Sequence, residues 1–83
     1  MAWYKSPFVI GRKYCILKDY SELGHIFCVG DIMEATDDTY DPKLGVIRFW
    51  FRNISTGEIN AFHVWEETKD LELLAYEYFK ECT

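Results

Sequence analysis

The alternation over Val46 to Arg52 constrains this chain more than any other feature. In an extended segment Ile47, Phe49 and Phe51 fall on one face, and Val46, Arg48, Trp50 and Arg52 on the other. Three large apolar side chains on one side require a core to bury against, so the segment predicts a strand with its Phe face inward. Asn53 to Gly57 then supplies turn-forming residues, and Glu58 to Trp65 is again extended, so the two runs predict an antiparallel hairpin. With Asn60, Phe62 and Val64 on the core side, Ile59, Ala61, His63 and Trp65 lie beside Trp50. A shift of one residue in the turn reverses that assignment.

A helical period appears at the C-terminal end. Leu71, Leu74, Ala75, Tyr78, Phe79 and Cys82 fall on one stripe, which predicts an amphipathic helix over 68–82 with Thr68 as its cap. Asp70 and Glu72 complement the positive end of its dipole. Upstream, Pro7 disfavours a helix in residues 1–10, which read as an extended arm that packs Trp3, Tyr4 or Phe8 against the body. Lys13 to Leu17 reads as a strand, Ser21 to Phe27 as one helical turn or a loop, Asp31 to Thr36 as a second strand, and Asp37 to Pro42 as a turn. The fold class expected is mainly β, of α+β type. It is a small antiparallel barrel or curled sheet of about four to five strands, closed by the C-terminal helix.

Gly11, Tyr14, Ile16 and Leu17, followed by Phe27, Val29, Gly30, Asp31 and Ile32, resemble the opening of many small SH3-like barrels of bacterial and phage proteins. The resemblance covers about half the chain. It implies an aromatic strand, a long loop and a Val-Gly-Asp entry into a strand meander, and it implies an architecture and no activity. A helix laid on a sheet is the alternative, because the C-terminal helix is longer than a minimal barrel needs.

Eighty-three residues hold one core, so residues 1–83 read as a single domain. Six Phe, six Tyr and three Trp supply the burial such a short chain needs. Each buried ring removes about 150–250 Å² from water, so neither a metal nor a disulfide is required. Cys15, Cys28 and Cys82 cannot all pair within the chain and match no secreted disulfide framework. They are expected as unpaired, ordinarily buried thiols in a reducing compartment. No basic leader and no long apolar run is evident, so the expectation is a cytoplasmic protein without a membrane span.

The formal charge of −5 makes non-specific binding to a phosphate backbone unfavourable overall. The acids gather in Glu34 to Asp41 and Glu66 to Glu81, whereas Arg48 to Arg52 is locally basic. No catalytic constellation stands out. His25 and Cys28 form one close-spaced pair, short of the two pairs a structural zinc site needs, and a loop histidine beside buried cysteines explains them as well. Asp37, Asp38 and Asp41 lack the Gly and Glu offsets of a calcium loop. No nucleophile motif surrounds any cysteine, and no cofactor is indicated.

A strand face carrying Arg48, Trp50 and Arg52 is left. Rings beside guanidinium groups can stack on the bases of a single strand. They also belong to the residue types that dominate protein interfaces, and a ring covered by arginine stems explains the same pattern with no ligand at all. The reading carried forward is a non-catalytic interaction or regulatory module that binds another protein through Arg48, Trp50 and Arg52, joined by His63 and Tyr40. The alternatives are a nucleic-acid-facing protein, either a weak single-strand binder or an acidic mimic, and a small metal- or thiol-dependent enzyme built on His25 and Cys28.

Overall fold

The structure, a computed structural model, describes residues 4–82. Within them the chain forms β1 (Lys13–Ile16), β2 (Tyr20–Glu22), β3 (His25–Phe27), β4 (Ile32–Asp41), β5 (Val46–Asn53), β6 (Ile59–Trp65), α1 (Leu71–Tyr78) and β7 (Phe79–Glu81). Five strands make one antiparallel sheet in the order β6-β5-β4-β1-β7, and β2 pairs with β3 as a separate hairpin. The sheet is open, with β6 and β7 as its edges. No helix of the described residues is long and apolar enough to cross a membrane.

The predicted β5–β6 hairpin forms, with its Phe face inward. Phe49 stands opposite Phe62 and Ile47 opposite Val64, while Trp50 faces Ala61 and Arg48 faces His63 across the other side. Ile47, Phe49, Phe51, Phe62 and Val64 are buried and form the floor of the core. The arm, the β2–β3 hairpin and α1 cover them. Phe8 is the hub of this cover, with its ring 4.8 Å from Phe79, 4.9 Å from Phe51 and 5.2 Å from Phe49. Tyr4 adds an edge-on contact to Phe49. Trp3, the third aromatic expected to pack from the arm, lies outside the described residues.

Three local expectations are corrected. Ser21 to Phe27 is neither a helical turn nor a plain loop, because Tyr20 pairs with Phe27 and Glu22 with His25 around the two-residue turn Leu23-Gly24. Both turn residues have positive φ, 51° and 82°, as the tight turn of a twisted hairpin requires. Leucine rarely adopts that conformation, which conceals the turn in the sequence. The acidic stretch Asp37 to Asp41 is not a turn either. It continues β4 alongside β5 to the pair Asp41–Val46, and the reversal comes at 42–45.

The helix is shorter than 68–82. Its cap is Asp70, whose carboxylate accepts from the Leu73 N–H at 3.0 Å. The Thr68 N–H is turned back onto the Trp65 carbonyl. At Phe79 the backbone becomes extended and pairs with β1, Phe79 opposite Ile16 and Lys80 opposite Cys15. Phe79 keeps its place in the core, so the apolar stripe runs on after the helix has stopped.

The cysteines also depart from expectation. Cys15 and Cys82 form a disulfide across neighbouring strands, with 5.8 Å between Cα atoms, and Cys28 is exposed as a free thiol. The pairing removes the reason for inferring a reducing compartment from the cysteines.

Candidate functional site

The outer face of the sheet is built by β4, β5 and β6, and β5 sets its centre. Glu34, Asp37 and Thr39 of β4 stand opposite Arg52, Trp50 and Arg48, and Ile59, Ala61 and His63 of β6 flank the same three on the other side. Each long side chain of β5 is tied down by a polar neighbour. Arg52 reaches Glu34 at 2.6 Å. The Trp50 indole N–H donates to the Thr39 hydroxyl at 2.9 Å. Arg48 donates through Nη1 to Asp41 at 3.1 Å and through Nε to the His63 ring at 3.3 Å. The Arg48 guanidinium is the main cause that holds the Asp41 carboxyl below its ordinary range, partly offset by desolvation.

Ala61 is the small residue on which this arrangement depends. Because it presents only a methyl group beside Trp50, His25 of β3 reaches over β6 and sets its ring edge-on to the Trp50 ring, with 5.7 Å between centroids. The His25 ring also lies 5.1 Å from that of His63. Trp50 is therefore half-buried and covered in part by His25, while Phe8 of the arm packs on the inner face.

His63 is buried, at 3% exposure. Its Nε2 accepts from Arg48, so the neutral ring carries its proton on Nδ1, and that atom has no hydrogen-bond partner among the described residues. Burial first, then the neighbouring His25 and Arg48, push its pKa below the ordinary imidazole value.

Four of the five residues expected in the site, Arg48, Trp50, Arg52 and His63, thus share one face. Tyr40 does not. A bulge in β4 between Ala35 and Asp37 inserts one residue, so Asp38 and Tyr40 fall opposite Phe49 and Ile47, on the core side of the sheet. There, at the sheet end, the Tyr40 hydroxyl donates to Glu66.

His25 is the residue that sequence reasoning missed. It reads as a loop histidine beside Cys28, yet its ring turns toward β6 while Cys28 borders a separate polar recess with Asp31, Asn53 and Glu58. Only the docking of the hairpin reveals its role. Among the described residues no three His, Cys, Asp or Glu side chains converge as a metal site. A recess of about 480 Å³ lies away from this face, between the arm and β7, lined by Val9, Leu17, Tyr76 and Phe79 among others.

No protein-family model matches the chain, and no curated protein is similar to it. Among solved structures, it is similar to an integron cassette protein from the mobile metagenome of Vibrio cholerae, with a TM-score of 0.61 over 88% of this chain and 86% of that one, at 13% identity. At that identity the likeness concerns the fold alone.

Proposed function

We propose that this chain is a non-catalytic interaction module that captures another protein on the outer face of β4–β6, with Trp50 as anchor and Arg48 and Arg52 as orienting groups. The observation that carries this reading is the way Trp50 is held. Its indole is fixed by Thr39 and flanked by His25, so a large amphipathic ring stands half out of the surface with its rotamer already chosen. Such preorganised rings cost little entropy on binding and are typical interface anchors.

The charges favour a protein over a nucleic acid. Arg48 and Arg52 are each matched by a carboxylate, Asp41 and Glu34. A phosphate chain would have to displace those acids, whereas a protein surface of mixed charge can match the pairs as they stand.

The test is Trp50→Ala in capture from native lysate, with thermal unfolding as control. The expected result is a cooperative melt and loss of the captured partner, corresponding to about 2 kcal/mol or more of binding energy. Equal capture by both proteins would overturn the reading. Saturable anisotropy of a labelled single strand that is lost in Arg48→Ala and Arg52→Ala would replace it with the nucleic-acid alternative.

A further inference from the structure

We infer that His25 and His63 form a proton-sensitive latch that holds the β2–β3 hairpin against the edge of β6 and loosens as the pH falls. Asn53 N–H bonds to the Glu58 carbonyl, which sets the register in which the amides of Ala61 and His63 point away from β5. An edge strand with two free amides invites another strand. Here both amides are met by side chains of the hairpin. Ala61 N–H donates to His25 Nδ1 at 3.0 Å, and His63 N–H donates to the Tyr20 hydroxyl at 2.9 Å.

Neither imidazole can gain a proton without losing its bond. A backbone amide is always a donor and so is the Nε–H of arginine, so His25 Nδ1 and His63 Nε2 must both be bare. Protonation would set two donors head to head at each place. It would also put positive charge beside Arg48, and on two rings that lie 5.1 Å apart.

The acids nearby oppose this only in part. Glu22 of β2 stands opposite His25 but accepts from the Tyr20 hydroxyl, and Asp41 of β4 is engaged by Arg48. Tyr20 itself stays neutral, since burial raises its pKa, so its bond to His63 N–H does not change. His63, whose pKa is lowered first by burial, binds its proton less readily in the latched state than in the open one. That contribution is therefore complete above the ordinary imidazole value, about 6.5, and is lost as the pH falls below it.

The latch stands whether or not the Trp50 face binds a partner. Because His25 also lies against Trp50, acid should weaken capture as well, and that consequence alone rests on the proposed function.

Amide hydrogen exchange read by NMR on the oxidised protein, at about pH 7.5 and about pH 5 and corrected for intrinsic rates, tests the latch. The Ala61 amide should lose protection at the lower pH, by up to about tenfold per pH unit. The Ala35 amide, bonded to Arg12 within the sheet, should keep its own. In His25→Asn combined with His63→Gln the acceptors remain but cannot titrate, so Ala61 should stay protected. Unchanged Ala61 protection in the wild type at the lower pH would overturn the latch, and so would opening of the double variant at the same pH. If the double variant does not fold, the wild-type comparison of Ala61 with Ala35 decides.

Discussion

The two faces of β5 use alternate residues of one strand for opposite ends. On the inner side Ile47, Phe49 and Phe51 are buried in the aromatic and aliphatic core. On the outer side Arg48, Trp50 and Arg52 each have a polar partner and remain half-buried. Inner residues are held by burial and close packing, which tolerate changes that conserve volume and shape. Outer residues are held by directed bonds, which fix where their side chains point. That difference is why the outer face is the place to look for recognition.

The largest effect that could break this contrast is expected on the inner face. Phe51 is fully buried, stacked on Phe79 at 4.7 Å and edge-on to Phe8 and Phe27. Phe51→Ala should cost about 3–5 kcal/mol in chemical denaturation. A smaller loss than Trp50→Ala shows would reverse the roles assigned to the two faces.

Reduction of Cys15–Cys82 asks whether inner-face packing holds β7 unaided. The bond closes a loop of sequence separation 67, worth about 4 kcal/mol by chain entropy. The denaturation midpoint should fall by a corresponding amount in reductant, and an unchanged midpoint would mean that Phe79 and the β1 pairing suffice. The smallest effect is expected beside the outer face. Leu23 is exposed and sits at φ 51°, so Leu23→Asn should stabilise the hairpin by up to about 1 kcal/mol, visible as a raised Tm.

Much of the inner face was legible in the sequence and less of the outer. The alternation in β5 identified both faces, and the apolar period placed Leu71, Leu74, Ala75 and Tyr78 of α1. The end of the helix was not legible, because Phe79 satisfies the helical period and its strand position equally well. What stops the helix is the open edge of β1, which no local pattern reports. Tyr40 was misplaced for a similar reason. One inserted residue in β4 changes which side every later residue faces, and the acidic run around it reads as a turn.

His25 could not have been found at all from its neighbours in sequence. Its partners Ala61, His63 and Trp50 are distant in the chain and meet it only once the hairpin docks. The pairing of Cys15 with Cys82 is likewise a product of the β1–β7 register.

The most direct test of the account compares Trp50→Ala with the wild type in two measurements on the same preparations: unfolding by denaturant, and capture of the partner. The account predicts a folded, cooperatively unfolding variant that no longer retains the partner. A variant that unfolds outright, or one that folds and still captures the partner as the wild type does, would contradict it.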